Sequence, residues 1–401
     1  MTKSDFCRRR RVQALTAAAA VVALAACQAN TPPPSADANA PVSIGLLVSL
    51  SGTYKTVGTD MKQGFELYLK LHGNKLGGHQ VDLHTEDEGE GGPAAVAPLD
   101  KLIKQNQVQA LVGLVGGGTV ATATPKAVAA KIPLIGTNAR PGKQDTSWAW
   151  HTSYISTEPG VALGDYVHRN TPGDVWVICP DYQGGWDECG GFVDAYTKAG
   201  GKLANPDGKP TYTPFPATTN WAPYFAQIKA AKPAAVYTFY AGAAAVNFVR
   251  QYKDFGLAAT TPLYAAGFLV EGSVLDGQAD AALNIKNSLN YSPDLDNPAN
   301  RTFAAEYVKA YNTLPTTFSM ASWDGAAVLD KAIAALGGQP VTGENINKAL
   351  ATLGQIDSPR GPWQWNPTTH APVQRWYLRQ VRKDGRGLSN IVLQDLTTLG
   401  G

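Results

Sequence analysis

A few short stretches of the 401-residue chain carry groups suited to chemistry. Gly116-Gly117-Gly118-Thr119 sets three glycines beside a hydroxyl. Glycine lets backbone N–H groups come close to a ligand, and a helix starting there would favour an anion at its N-terminus. Thr119 suits either a helix cap or a ligand donor, and the stretch reads equally well as a plain strand–helix turn. With Gly113 ahead of it the spacing is not G-x-G-x-x-G, and no P-loop lysine follows, so a nucleotide site is set aside. Gly136-Thr137-Asn138-Ala139 adds a hydroxyl and an amide. Together the two stretches would hold a small carboxylate through neutral donors; alone, the second is an ordinary turn. Tyr54, in the same loop as Ser51, and then Tyr182, Trp186, Tyr240 and Phe268 supply aromatic surface that would shield a small ligand. Each of them alone is equally a core or hinge residue.

Other chemistry finds no support. Glu86-Asp87-Glu88-Gly89-Glu90 lacks the EF-hand spacing and reads as a solvated strand end. The six histidines are scattered, with no H-E-x-x-H, and no G-x-S-x-G elbow is present. No catalytic residue, metal site or cofactor is predicted, and nothing in the chain requires an enzyme. Net charge is +2, but Lys3 and Arg8 to Arg11 sit at the very start, leaving a slight acidic excess beyond them. There is no basic stripe for a nucleic-acid backbone.

The cysteines divide by position. Cys7 and Cys27 flank an apolar run, Val12 to Ala26. That run is about 15 residues, short of the roughly 20 needed to span a bilayer. Leu24-Ala25-Ala26-Cys27 resembles a bacterial lipobox, which makes residues 1–26 a lipoprotein signal peptide and Cys27 the lipid carrier. An ordinary secretory signal with a coincidental cysteine is the alternative, and export by the Sec or the twin-arginine route stays open. Residues 27–41, rich in Pro and Ala, read as a disordered tether that would hold the protein at the membrane by its anchor. Cys179 and Cys189 pair in an oxidising compartment or remain two free thiols.

The elements that must position these groups alternate. Val42 to Val48 is a near-continuous apolar run, as for a strand buried on both faces. A helix over 59–71, a strand over 79–86, a helix over 94–105, a strand over 110–115, a helix over 120–130 and a strand over 132–135 follow. The rhythm restarts after 159: helix 160–168, strand 174–179, helix 189–198, a strand near Tyr212, helix 222–231, strand 234–240 and helix 243–255. Strands at 263–265 and 285–289 and helices at 301–311, 321–336 and 343–353 come next. The tail carries strands at 375–381 and 391–393. This is an α/β chain forming two similar lobes with open parallel sheets, and ligands of such sheets sit beyond the strand carboxyl ends.

Taken in order, several fragments resemble the periplasmic binding proteins of branched-chain amino-acid ABC transporters. They are Ile44-Gly45-Leu46 with Leu50-Ser51-Gly52 and Gly58, Gly64-Phe65-Glu66-Leu67, and Leu111-Val112-Gly113. Ile132-Pro133-Leu134-Ile135, His151-Thr152-Ser153, Val249-Arg250-Gln251 with Gly256-Leu257, and Gly361-Pro362-Trp363-Gln364-Trp365 complete the set. The resemblance spans about residues 42–395. It implies a type I periplasmic binding fold of two Rossmann-like lobes, 42–158 with 289–370 and 159–288 with 371–398, joined by a three-segment hinge around a ligand cleft. It further implies a monomer that captures a small amino acid or carboxylate-bearing solute and delivers it to an ABC permease. A ligand sensor on the same fold is the alternative. By the likeness, the loop at Gly117, Gly118 and Thr119 and the strand end at Thr137, Asn138 and Ala139 hold the ligand carboxylate. Ser51, Tyr54, Trp186, Tyr240 and Phe268 complete the expected contacts. Amino-acid binders of this kind place an acid near Gly267-Phe268 for the ammonium. Here the nearest is Glu271, either displaced by its loop or no substitute at all, so an aromatic or aliphatic carboxylate is an alternative ligand.

Overall fold

The computed structural model describes residues 40–400 except Arg386. The expected signal peptide 1–26, the expected lipid-carrying Cys27 and all of the expected tether but residues 40 and 41 lie outside the described residues.

The first sheet is built from β1 (Val42–Val48), β2 (Lys75–Leu76), β3 (His79–Asp87), β4 (Ala110–Gly113) and β5 (Leu134–Gly136). A short pair, β6 (Ala139–Arg140) with β8 (Tyr154–Ile155), lies apart from it, and β7 (Ala149–His151) completes its edge. The order is β2-β3-β1-β4-β5-β7, parallel throughout except for the β2–β3 hairpin. β1 is buried on both faces because helices cover both: α1 (Lys55–Leu71) with its Met61–Phe65–Leu69 stripe, and a helical segment around α2 (Val96–Asp100) on the other side. The expected helix over 94–105 is in fact three joined pieces, ending in a wider turn over Lys101–Gln105. α3 (Gly117–Ala130) starts at the glycine stretch itself.

The second sheet repeats the plan. β9 (Val175–Asp181), β10 (Thr211–Pro214), β11 (Ala235–Thr238), β12 (Leu263–Ala266) and β13 (Lys286–Leu289) run parallel in the order β10-β9-β11-β12-β13. Counted along the chain, this is the same 2-1-3-4-5 order as β3-β1-β4-β5-β7 in the first sheet. In both, the order reverses beside the first strand, which puts a crevice beyond its carboxyl end. The tail strands β14 (Gln364–Trp365), β15 (Pro372–Lys383) and β16 (Leu388–Leu399) extend the second sheet antiparallel, with β15 on β13.

The helices are α4 (Glu158–Asn170), α5 (Gln183–Lys198), α6 (Ala222–Ala231), α7 (Gly242–Asp254), α8 (Ser273–Gln278), α9 (Pro298–Tyr311), α10 (Thr317–Ala334) and α11 (Gly343–Leu350). α4 and α5 cross closely because glycines face each other's backbone. A Cβ on Gly160 would lie 2.4 Å from Glu188 O, and one on Gly191 would lie 2.1 Å from Thr157 O. Cys179 on β9 and Cys189 on α5 form a disulfide with Cα atoms 6.4 Å apart, tying that helix to the strand before it. No described helix is long and apolar enough to cross a membrane.

Candidate ligand-binding site

Four helices begin where the carboxyl ends of the two sheets meet. Their N-cap residues are Tyr54 for α1, Gly116 for α3, Tyr182 for α5 and Ala241 for α7. All four line one cavity of about 40 Å3, and none of the four helices is capped by a side-chain hydrogen bond. Uncapped helix starts carry free N–H groups and the positive ends of the helix dipoles, so the cavity favours an anion.

The wall between these starts is aromatic. Phe268 stacks on Tyr154 with ring centroids 4.9 Å apart, and meets Phe318 at 5.8 Å and Phe239 at 6.1 Å. Tyr182 stacks on Phe215 at 4.4 Å. Tyr54 Oη and Tyr182 Oη, one from each sheet's first loop, lie 3.0 Å apart and join the two sides. Burial pushes the Tyr54 phenol up to about 12, so it stays a neutral hydrogen-bonding group. Such a wall suits a flat apolar body.

Of the residues expected from the sequence, Tyr54, Gly117, Asn138 and Phe268 all line the cavity. The Asn138 amide donates to Val115 O at 2.7 Å, and Tyr154 Oη donates to its Oδ1 at 3.4 Å. Other candidates are placed elsewhere. Thr137 points the opposite way from Asn138 and donates to Ser322 Oγ at 3.3 Å. Thr119 Oγ1 accepts from Gly92 N at 3.1 Å. Ser51 is exposed. Trp186 is 47% exposed on the outer face of α5, its indole N–H on Asp181 at 2.8 Å. Tyr240 turns away from the cavity that its neighbour Phe239 lines and bonds Thr213 Oγ1 at 2.9 Å. Gly118 lines a wider outer groove of about 1220 Å3 between α3, residues 141–145 and the start of α5. That groove is larger, but the aromatic wall and the four helix starts belong to the inner cavity. Ala139 lies on β6.

Three carboxyls were not legible in these roles. Glu88, in the run read as solvated, is buried. It accepts from Ser49 Oγ and Val115 N, both at 3.1 Å, and from Gly116 N at 3.3 Å, so it backs the glycine stretch from inside. Burial outweighs those bonds and pushes it up to about 7. Glu271 is turned from the cavity. It pairs with buried Arg379 at 2.8 Å and accepts from Thr317 N at 2.9 Å. Glu188 is the third, and it lines the cavity. Its position was hidden because α5 begins at Gln183 rather than Cys189; the inward spacing Glu188, Cys189, Phe192, Tyr196 is the signal that could have found it. Among the described residues no cluster of metal-ligating side chains occurs.

Solved structures resemble this one over most of its length. A solute-binding protein of an ABC transporter from R. palustris, in complex with benzoate, is 28% identical with a TM-score of 0.82, covering 90% of this chain and 98% of that one. Another from R. palustris, in complex with 4-hydroxybenzoate, is 28% identical with a TM-score of 0.80, covering 90% and 97%. A branched-chain amino-acid binding protein from Streptococcus pneumoniae shares the fold at 19% identity and a TM-score of 0.73, covering 88% and 99%. Among curated proteins, the Leu/Ile/Val-binding protein homolog 6 of Brucella melitensis is 29% identical over 355 residues, 86% of this chain and 89% of its own. A family profile for periplasmic binding proteins matches residues 41–386, so the chain belongs to the periplasmic binding protein family.

Proposed function

We propose that this ABC-transporter solute-binding protein captures an aromatic carboxylate and presents it to an importer. The observation that carries the reading is the meeting of four uncapped helix starts on one aromatic-walled cavity. The dipoles supply the attraction for a carboxylate, and the Tyr154, Phe239, Phe268 and Phe318 rings supply a slot for a ring. An amino acid would also need a partner for its ammonium. Glu271 is spent on Arg379 and Thr317, and Glu188 is driven toward its neutral form by burial among other acids. The benzoate-bound relatives at 28% identity support the same class of solute.

In this reading, residues 42–158 with 289–370 and residues 159–288 with 371–398 act as two lobes. Opening breaks the Tyr54–Tyr182 contact and admits the solute, and binding energy restores the closed form that the permease recognises. Cys27 would carry lipid, and residues 27–41 would leave the lobes free to reach the permease. No bond is made or broken.

The test is thermal unfolding of the purified protein with benzoate, ring-substituted benzoates, leucine, isoleucine, valine and phenylalanine. A ligand at 100 times its dissociation constant stabilises by about 2.7 kcal/mol. Stabilisation by benzoates and none by the amino acids is expected. Stabilisation by the branched-chain amino acids with none by benzoates would overturn the aromatic assignment.

A further inference from the structure

The cavity wall contains one group that the carboxylate reading leaves without a task. Glu188, on the second turn of α5, is 1% exposed, and its Oε2 has no hydrogen-bond partner. An unpaired buried carboxyl oxygen is costly unless something fills it. The groups facing it are Tyr154 and Tyr182 from the cavity wall, Tyr237 from β11, Asp187 beside it and Glu158 from the start of α4. None of these is a cation. The Tyr237 hydroxyl is likewise without a partner. Burial first, then the charges of Asp187 and Glu158, push the Glu188 carboxyl well above its ordinary range. The disulfide at the adjacent Cys189 fixes the helix that carries it.

Position separates Glu188 from the carboxylate end. Gln183 is the α5 residue that meets the glycine stretch, its Cγ 4.0 Å from where a Gly117 Cβ would be. Glu188 lies five residues further on, about 7.5 Å along the helix axis. An α-amino acid holds ammonium and carboxylate on one carbon, so it does not reach both places with its two charged groups. A benzoate with a hydroxyl on the far side of its ring, hydrogen-bonded at each end, does reach both.

We propose that Glu188 is a specificity-determining contact, and that it selects a benzoate bearing a ring hydroxyl, held with its carboxylate toward Gly116–Gly117 and its hydroxyl on Glu188. The inference rests on the aromatic-carboxylate reading. A hydroxyl donates to Oε2 and accepts from a protonated acid, so it satisfies the orphaned atom without adding charge. A second carboxylate there would meet Glu188 and Asp187 as well as Glu158, and the nearby cations, Arg140 and Arg360, act on Glu158 rather than on Glu188.

The experiment is calorimetric titration of the purified protein and its Glu188→Gln and Glu188→Met variants with benzoate, 3-hydroxybenzoate and 4-hydroxybenzoate. The wild type should bind one of the hydroxybenzoates at least about tenfold more tightly than benzoate, the scale of a buried hydrogen bond. Glu188→Met, similar in size but apolar, should bring that ratio close to one, while Glu188→Gln, which still donates and accepts, should keep part of it. Equal binding of all three by the wild type, or an unchanged ratio in Glu188→Met, overturns the role of Glu188 while leaving the aromatic-acid reading standing. A wild type that binds none of the three overturns both.

Discussion

The assignment of Glu271 to the scaffold rather than to the ligand has a measurable consequence. Arg379 is fully buried and spreads its guanidinium over Asn287 Oδ1 at 2.9 Å, Tyr291 O at 2.8 Å and Glu271 Oε2 at 2.8 Å. Glu271 is the only charged member of that set. Glu271→Gln keeps the shape and removes the charge, leaving a buried guanidinium with neutral acceptors alone. Removing one partner of such a pair costs about 3–5 kcal/mol. Spread over the unfolding entropy of roughly 360 residues, that lowers the melting temperature by about 5 °C. Arg379→Met should cost a similar amount, since it strands the carboxylate instead. In a double-mutant cycle the two changes should fall short of adding, because they delete one shared interaction. Scanning calorimetry reads the stability of all four proteins, and titration with benzoate reads their affinity. Glu271→Gln should lose less than about tenfold in affinity, or 1.4 kcal/mol. A variant with an unchanged melting temperature and abolished binding would refute the reasoning, because Glu271 would then belong to the ligand.

Further consequences concern the glycine stretch, Glu88 and the disulfide. A Cβ on Gly117 meets nothing closer than 3.7 Å, so Gly117→Asp should fold normally; its carboxylate opposes the ligand's and should weaken benzoate binding at least about 100-fold, read by calorimetry. Burial holds Glu88 up to about 7 against its ordinary 4.5, so the folded protein keeps a proton that the unfolded chain releases. That contribution is full below pH 4.5 and is lost as pH rises through 7, on the order of 3 kcal/mol in all. Urea midpoints across this range should therefore fall less steeply in Glu88→Gln than in wild type; identical slopes would contradict the assignment. Thiol counting on denatured, unreduced protein should find neither Cys179 nor Cys189 free, and reduction should destabilise by about 3 kcal/mol for a loop of this length, seen as a lower urea midpoint.

What the chain announces, and what it hides, follows from how far each signal reaches. The apolar run Val42–Val48 and the strand–helix alternation are local, and they place both sheets and most helices from the sequence alone. Tyr54, Gly117, Asn138 and Phe268 come to line one cavity because each follows a strand, and strand ends converge in this topology. The carboxyls resisted because their surroundings come from distant parts of the chain. Glu88 looks solvated until Val115 and Gly116, 27 and 28 residues later, are laid over it. Glu271 finds Arg379 108 residues away. Glu188 is hidden by Gly184-Gly185, a pair that argues against helix, yet Gly185 is required inside one: a Cβ on it would lie 1.9 Å from Pro180 O. Trp186 shows the opposite case. It has the right residue type in the right loop, but the helical turn carries it outward, to 47% exposure.

The central claim is that the cavity takes an aromatic carboxylate in preference to an amino acid. The most direct measurement is calorimetric titration of one protein preparation with benzoate and with leucine at pH 7, each also in the presence of the other. The account predicts one-to-one binding of benzoate that excess leucine does not displace. Tight leucine binding that excludes benzoate would contradict it, and would mean that a carboxylate in the cavity is ionised and free to pair with an ammonium.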